Sequence, residues 1–214
     1  MGEKGSTVMN PQTMKQSLRQ SIIAARQKLA VTGRVQFDRA ITARLVDLKE
    51  YRRAKVVLGY MSFGAEFATM AWVEHALQDG KQMLLPRVNK SSRQLELYRV
   101  RDLQQDVASG LWNIPEPLPE RCDRVDTLGL VDFILLPGVA FARDGSRLGY
   151  GGGFYDKLLE RISLEEGHPA LVAAAFSMQL VKEIPQEATD RKVEWLLTEH
   201  EAIDCAAERK RPVE

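Results

Sequence analysis

Short apolar runs alternate along this chain with amphipathic segments, and this alternation constrains the fold more than any other feature of the sequence. The predicted strands are residues 55–60, 82–85, 95–100, 131–136, 171–176 and 193–197. The predicted helices are residues 14–30, 35–48, 69–78, 154–164 and 179–184. Strands that alternate with helices form a mainly parallel sheet with helices on both faces. We therefore predict an α/β fold, a single domain with a Rossmann-like three-layer architecture.

Composition limits the classes of protein to which the chain can belong. Its 214 residues are 44% hydrophobic and 28% charged, which is typical of one soluble domain, here residues 14–205. We expect residues 1–13 to be a disordered leader and residues 206–214 a charged tail. The net charge of +1 gives no general attraction to nucleic acids or membranes. The two cysteines lack metal-ligand spacing, so free thiols in a reducing compartment, and hence a cytoplasmic location, are expected. We also expect the protein to be a monomer.

Glycine is concentrated between one predicted strand and the helix that follows it. Residues 149–153 contain four glycines, and Asp156 lies at the start of the helix predicted at residues 154–164. Without side chains, backbone N–H groups can approach a ligand closely, and a helix N-terminus attracts phosphate. The spacing matches neither a Walker loop nor the dinucleotide fingerprint. A phosphate cradle and an ordinary surface turn both remain open on this pattern alone.

Two charged side chains flank these glycines. Arg147 could bind a phosphate or a carboxylate through two parallel hydrogen bonds. Asp156 could hold Mg²⁺, which prefers oxygen ligands, or it could cap the helix. The sequence pattern leaves both interpretations of Asp156 open.

Further charged residues suggest ligand contacts elsewhere in the chain. Lys15, Arg19 and Arg26 fall within an arc of roughly 40° beside the apolar stripe of the first predicted helix. They could share a bound anion with the body of the protein, or their charged ends could simply reach into solvent. Glu66 follows a predicted buried strand. It could accept hydrogen bonds from a heterocycle, or it could compensate the dipole of the next helix.

Taken together, these residues resemble the 5-formyltetrahydrofolate cyclo-ligase family. The family pattern Gly-x-Arg-Leu-Gly-x-Gly-x-Gly-Tyr/Phe-Tyr-Asp matches residues 145–156, which read GSRLGYGGGFYD. Weaker matches are Lys15 with Arg19, Glu66 after a strand, residues 85–87 (LPR) and residues 114–117 (IPEP). The resemblance extends from about residue 15 to residue 199.

The resemblance implies an enzyme that uses Mg²⁺ and ATP. Such enzymes convert 5-formyltetrahydrofolate, with or without a polyglutamate tail, to 5,10-methenyltetrahydrofolate, ADP and phosphate. The formyl oxygen attacks the γ-phosphate to give an N5-iminium phosphate, and N10 then closes the ring. The protein mainly positions groups and neutralises charge, as in other phosphoryl transfers.

The resemblance also implies roles for particular residues. Arg147 and Tyr155 are expected to act in catalysis, and Asp156 and Asp190 to bind Mg²⁺. The expected ATP-binding residues are Lys15, Arg19, Arg147, Leu148, Gly149, Tyr150, Gly151, Gly152, Gly153, Phe154 and Tyr155. The expected folate-binding residues are Met61, Glu66, Tyr150, Gly151, Gly152, Gly153 and Phe154. The sequence departs from the family at Thr189, where many relatives carry His or Asn.

Two other classes of function are compatible with the same residues. A sugar-phosphate or CoA enzyme of similar fold would bind a phosphate with the glycines of residues 149–153 without consuming ATP. A non-catalytic folate- or nucleotide-binding protein would bind these ligands without turnover. Consumption of ATP distinguishes a cyclo-ligase from both of them, and turnover distinguishes the two from each other.

Overall fold

An eight-stranded sheet forms the centre of the protein, whose computed structural model describes residues 10–111, 114–187 and 190–210. The strands are β1 (Val56–Leu58), β2 (Gln82–Asn89), β3 (Gln94–Val100), β4 (Val107–Ser109), β5 (Pro115–Pro117), β6 (Asp123–Val125), β7 (Phe133–Leu136), β8 (Ala140–Phe141), β9 (Arg147–Leu148), β10 (Ala170–Ala174), β11 (Trp195–Leu197) and β12 (Ala202–Asp204). The helices are α1 (Pro11–Gln27), α2 (Val31–Asp47), α3 (Lys49–Arg53), α4 (Met70–Gln78), α5 (Leu103–Asp106), α6 (Phe154–Leu164) and α7 (Cys205–Glu208).

The central part of the sheet is parallel. The strand order is β12-β11-β10-β7-β1-β2-β3-β6, and the strands from β11 to β2 run parallel. Antiparallel strands complete both edges. The carboxyl ends of β1 and β7 are therefore neighbours, which brings the loops after Leu58 and Leu136 to one edge of the sheet, where α/β proteins bind ligands.

Alternate residues of each central strand face two separate cores. In β7, Phe133 and Leu135 join the core beneath α2, α3 and α4, whereas Ile134 and Leu136 join the core beneath α6. All four side chains are buried, so this strand has no solvent-facing side. Burial on both faces explains why β7 is a continuous apolar run, and it confirms the predicted α/β fold with helices on both faces of a mainly parallel sheet.

Local capping and strand pairing explain two of the differences between the predicted and the observed elements. Helix α6 has the predicted bounds, but α1 begins at Pro11 because Asn10 caps it, accepting the N–H of Gln12 at 2.9 Å. Strand β2 continues past Pro86 because it pairs with β3 as a long antiparallel hairpin. Residues 102–124, where the sequence predicts no helix or strand, contain α5, β4, β5 and the start of β6.

The helix predicted at residues 179–184 is wrong. A short 3₁₀ turn spans Ser177–Gln179, and the chain then runs on so that the N–H of Val181 bonds to the carbonyl of Phe141 at 2.8 Å. The buried Gln179 side chain donates to the carbonyl of Val139 at 2.9 Å. These tertiary hydrogen bonds replace those that a helix would have formed within itself.

The ends of the chain are described only in part. Residues 1–9 of the predicted leader and residues 211–214 of the predicted tail lie outside the described residues, as does Thr189. Helix α7 runs through Glu208 and thus passes the predicted domain end at residue 205. In the part of the chain that the structure describes, no helix is both long and apolar enough to span a bilayer.

We predict that Phe133→Ala lowers the free energy of unfolding by about 3–5 kcal/mol, because it leaves a cavity in the core. Phe133 is fully buried, and its ring centroid lies 5.9 Å from those of both Tyr51 and Trp72. Urea unfolding of both proteins measures the difference. Leu130→Ala is the control, since Leu130 is 63% exposed and its loss should change stability little. Equal effects of the two substitutions would contradict this account of the core.

Candidate active site

Helix α1 is held against the hairpin of β8 and β9 by an apolar contact. Leu18 and Ile22 of the helix pack on a small core that includes Ala140 and Leu148 of the hairpin. The predicted apolar stripe of α1 thus faces the body of the protein. The basic residues beside that stripe are consequently carried to the glycine-rich segment that follows β9.

The basic face of α1 contacts the glycine-rich segment directly. Arg19 Nε donates to the carbonyl of Gly149 at 2.8 Å, and Arg26 Nη2 donates to the Tyr150 hydroxyl at 2.8 Å. Lys15 is only 7% exposed and Arg26 only 3%. Cations that extend into solvent would be exposed at their charged ends. The structure therefore contradicts the solvent-reaching interpretation for Lys15 and Arg26.

Residues 149–153 form a segment that we call the glycine loop, and its shape requires three of its four glycines. Gly151 and Gly153 have φ values of 101° and 65°, which residues with side chains rarely adopt. At Gly152 an added Cβ would lie 2.7 Å from the ring of Phe154. The loop is thus a fixed conformation ahead of α6, rather than a turn in which any small residue would serve.

Arg147 and Asp156 form an ion pair beneath the glycine loop. Arg147 Nη2 lies 2.7 Å from Asp156 Oδ1, and Nη1 donates to the carbonyl of Pro137 at 3.1 Å. Arg147 Nε is buried and has no partner among the described residues. Gly153 is the N-cap residue of α6, and the hydrogen bond that Asp156 accepts comes from Arg147. These contacts favour a charge-pairing role of Asp156 over helix capping.

Glu66 lies in the loop after β1 and is bonded to the glycine loop through the Tyr150 hydroxyl. Its Oε2 accepts the N–H of Phe63 at 3.0 Å, and its Oε1 accepts the hydroxyl of Tyr150. Burial raises the pKa of this carboxyl group, while the bonds from Tyr150 and Phe63 and the charge of Arg26 oppose that rise. Because neither donor belongs to α4, these contacts do not support a role of Glu66 as partner of that helix dipole.

Lys15 ties the start of α1 to the segment before β11. Its Nζ lies 3.0 Å from Glu187 Oε1 and 3.1 Å from Asp190 Oδ2. Burial works to lower the pKa of Lys15, but the hydrogen bonds to Glu187 and Asp190 outweigh it and raise that pKa. The structure thus brings together Lys15 and Asp190, which are distant in sequence, and adds Glu187, which the sequence analysis had not considered.

The carboxylates of Asp156 and Asp190 are suited to a metal ion that is held jointly by the protein and a bound phosphate, rather than by protein ligands alone. Their side chains are 28% and 21% exposed, and each pairs with a cation. Within residues 10–111, 114–187 and 190–210, no group of three or more His, Cys, Asp or Glu side chains could enclose a metal ion. Mg²⁺ is commonly held by one or two carboxylates together with substrate phosphates. The donor set therefore fits Mg²⁺ that arrives with a nucleotide.

The remaining predicted site residues differ in how much of their side chain a ligand can reach. Leu148 and Met61 are buried in the core, at 2% and 7% exposure. Tyr150 is 39% exposed, and its ring centroid lies 5.2 Å from that of Phe63. Tyr155 packs between the two cores, and burial strongly raises the pKa of its hydroxyl. Phe63 follows the same strand as Glu66 and is not among the individual site residues that the sequence predicts.

Fold and site together define an α/β protein with a cluster of charged side chains beside the glycine loop, at the carboxyl edge of a mainly parallel sheet. The model of the 5-formyltetrahydrofolate cyclo-ligase family matches residues 11–199. The 5-formyltetrahydrofolate cyclo-ligase of Haemophilus influenzae is 30% identical over 190 residues, which cover 85% of this chain and 95% of that protein. The mouse 5-formyltetrahydrofolate cyclo-ligase is 29% identical over 190 residues, 86% of this chain and 93% of that protein.

Solved structures of 5,10-methenyltetrahydrofolate synthetases are also similar to this chain. The 5,10-methenyltetrahydrofolate synthetase of Aquifex aeolicus superposes with a TM-score of 0.78 at 30% identity, covering 94% of this chain and 96% of that one. The synthetase of Mycoplasma pneumoniae, at 19% identity and a TM-score of 0.68, shares the fold. The chain belongs to the 5-formyltetrahydrofolate cyclo-ligase family. It is therefore an enzyme of folate one-carbon metabolism, and the resemblance seen in the sequence is confirmed.

We predict that the contribution of Glu66 to protein stability falls as pH rises above the ordinary pKa of its carboxyl group, 4.5, towards the raised value in the folded protein. In that window the folded state retains a proton that the unfolded state has lost, and each added unit of pH then favours unfolding. Glu66→Gln should remove this slope. Urea unfolding across a pH series measures the difference between the two proteins.

Exposed Glu183 provides the control. Glu183→Gln should leave the pH dependence of unfolding parallel to that of the wild type. Parallel curves for the wild type and Glu66→Gln would show that Glu66 does not titrate with a raised pKa.

Proposed function

We propose that this chain cyclises 5-formyltetrahydrofolate to 5,10-methenyltetrahydrofolate, using Mg²⁺ and ATP and releasing ADP and phosphate. One observation carries the proposal: the glycine loop is held by Arg19 on one side and reaches the buried carboxylate of Glu66 through Tyr150 on the other. The glycine loop, which would bind phosphate, and Glu66, which would accept hydrogen bonds from a heterocycle, are thus adjacent. A reaction between a nucleotide and a pterin requires this adjacency.

The nucleotide half of the site consists of α1 and the glycine loop. Lys15, Arg19 and Arg147 would bind the phosphates, and residues 148–155 would wrap the nucleotide with backbone N–H groups. The unpaired, buried Nε of Arg147 supports this assignment, because a buried donor without a partner is costly unless a ligand uses it. In phosphoryl transfer, positioning and charge neutralisation supply most of the catalysis.

The folate half of the site lies between Glu66 and the glycine loop. A carboxylate has about four acceptor positions, and Glu66 uses two of them for Phe63 and Tyr150. The remaining positions would accept the N–H groups of the pterin. Tyr150 and Phe63 are partly exposed aromatic rings that could pack against it, while Met61 and residues 151–154 would complete the wall.

The chemical step would proceed in two stages. The formyl oxygen attacks the γ-phosphorus of ATP, an O–P bond forms, and the bond to ADP breaks, which gives the N5-iminium phosphate. N10 then attacks the activated carbon and loses its proton, and phosphate leaves with the former formyl oxygen. Arg147 would neutralise the charge that develops on the transferred group. Tyr155 would donate a hydrogen bond, because its raised pKa keeps the hydroxyl protonated.

Mg²⁺ would be held by Asp156 and Asp190, and when bound it would neutralise charge on the phosphates of ATP. Both carboxylates are paired with basic residues of the nucleotide half, Arg147 and Lys15. Binding of the metal by these carboxylates would free both cations for phosphate. We further propose that mono- and polyglutamylated substrates are accepted and that the protein acts as a monomer in the cytoplasm.

Mixing the protein with 5-formyltetrahydrofolate, Mg²⁺ and ATP tests the proposed function. Growth of the methenyl-folate absorbance band only when ATP is present, with one ADP released for each product, is the expected result. Turnover of a sugar phosphate or CoA ester without ATP, or binding of folate without product, would instead support one of the two other classes of function.

We predict that Asp156→Asn lowers kcat at least tenfold and raises the Mg²⁺ concentration needed for half-maximal rate, because a neutral amide is a weaker ligand than a carboxylate (an estimate of about 1.4 kcal/mol). Steady-state rates across a Mg²⁺ series provide the measurement. Glu160→Gln is the control, since Glu160 lies exposed on the same helix. Wild-type rates in Asp156→Asn at every Mg²⁺ concentration would remove Asp156 from the metal site.

We predict that Lys15→Ala raises the KM for ATP roughly tenfold and leaves the KM for the folate within about twofold, because charged hydrogen bonds contribute about 1.5–3 kcal/mol. Initial rates with each substrate varied in turn measure both constants. Lys28→Ala, at the exposed end of α1, should change neither. Equal increases in both constants would indicate that Lys15 only anchors the segment before β11.

A further inference from the structure

One buried cation of the site has no role in the reaction described so far. Arg26, in the last turn of α1, is 3% exposed, and no family pattern in the sequence drew attention to it as a ligand-binding residue. A guanidinium does not lose its proton in proteins, so its charge is buried with it. Burial of a charge costs several kcal/mol unless an opposite charge and hydrogen bonds compensate for it. The group that compensates this buried charge therefore indicates the role of Arg26.

That compensating group is Glu66, reached through one hydroxyl. Arg26 Nη2 donates to the Tyr150 hydroxyl at 2.8 Å, and the same hydroxyl donates to Glu66 Oε1. Tyr150 is therefore an acceptor on one side and a donor on the other. Donors bound to an acceptor hydroxyl polarise it, which strengthens the bond that it donates. The positive charge of α1 thus acts on the carboxylate across the cleft.

We infer that Arg26 is a positioning residue for the folate half of the reaction, which keeps Glu66 ionised and oriented through Tyr150. The inference rests on the proposed function, since it assigns to Arg26 the folate selectivity of that same site. It also separates two neighbours on one helix: Arg19 bonds to the loop carbonyl of Gly149, whereas Arg26 bonds to the side chain that reaches Glu66. Arg19 would serve the nucleotide, and Arg26 the pterin.

The charge state of Glu66 depends on all the groups that face it. Besides Arg26 and the Phe63 N–H, these are the hydroxyls of Tyr60, Tyr150 and Tyr155, which belong to two different loops and to α6. Burial raises the pKa of all three tyrosines, so they remain neutral and Arg26 is the one cation that acts on Glu66 within this set. Burial alone raises the pKa of Glu66, and Arg26 limits that rise. Loss of Arg26 would therefore protonate Glu66 at higher pH, and a protonated carboxyl group has fewer acceptor positions for pterin N–H groups.

The test compares the pH dependence of kcat/KM for 5-formyltetrahydrofolate in the wild type, Arg26→Met and Arg26→Lys. In Arg26→Met we expect kcat/KM for the folate to fall about tenfold near neutral pH, the loss typical of one charged hydrogen bond. The acid limb of its profile, where kcat/KM decreases as pH falls and Glu66 takes up a proton, should also move to higher pH. The pH dependence of kcat/KM reports the titration of groups in the free enzyme. The KM for ATP should stay within about twofold of the wild type. Arg26→Lys keeps the charge and should largely retain the position of the acid limb.

Two further variants separate positioning from a merely structural role. Glu66→Gln should lack the acid limb, and Arg26→Met added to it should cost little more, because the two residues act through one network. Tyr150→Phe, which breaks the link but keeps the ring, should move the acid limb in the same direction as Arg26→Met. Arg52→Met is the matched control, because Arg52 is exposed and pairs with Asp47 on the surface.

The possible results distinguish this inference from the proposed function. No ATP-dependent product with the wild type would overturn the proposed function itself. Product from the wild type, with a uniform loss at every pH or an equal rise in the KM for ATP in Arg26→Met, would overturn the role of Arg26 alone. If circular dichroism shows that Arg26→Met is unfolded, the pH profiles of Arg26→Lys and Tyr150→Phe test the role of Arg26 instead. An unmoved acid limb in Tyr150→Phe would then reject the inference.

Discussion

Buried positive charge on helix α1 is the constraint on which the rest of the site depends. Leu18 and Ile22 fix the helix against the β8–β9 hairpin, and this contact forces Lys15 and Arg26 out of solvent. Each of these cations then needs an anion. Lys15 pairs with Glu187 and Asp190, and Arg26 is linked to Glu66 through the Tyr150 hydroxyl. The elements that meet these needs come from distant parts of the chain, so an apolar contact of one helix face organises the whole cleft.

The contacts of the glycine loop depend on the same arrangement. Its left-handed residues, Gly151 and Gly153, allow the backbone to turn into α6 while its carbonyl at Gly149 and its tyrosine at 150 point to α1. Arg147 and Asp156 neutralise each other below it. Internal pairing compensates these buried charges, and under the proposed function the same pairs would be exchanged for phosphate and metal when a nucleotide binds.

Predictions from the sequence succeeded where local pattern and tertiary environment agree. Helix α6 has an amphipathic stripe, a glycine before it and polar residues after it, and its predicted bounds are confirmed. The prediction failed at residues 179–184, where an amphipathic pattern gave way to hydrogen bonds from Gln179 and Val181 to the segment after β7. It also stopped β2 too early, because Pro86 is a local breaker, whereas the antiparallel partner β3 extends the strand beyond it.

The sequence by itself determined the class of fold, the glycine loop and the family, because these depend on residue types at fixed spacing along one stretch of chain. It also placed Lys15, Arg19 and Arg26 on one helix face, since helical geometry is local. Only the tertiary structure decided which partner each cation has. Lys15 and Asp190 are far apart in sequence, as are Arg26, Glu66 and Tyr150, and the packing of α1 on the hairpin sets these contacts. Charge compensation in a buried site depends on distances in space, which the order of residues along the chain does not specify.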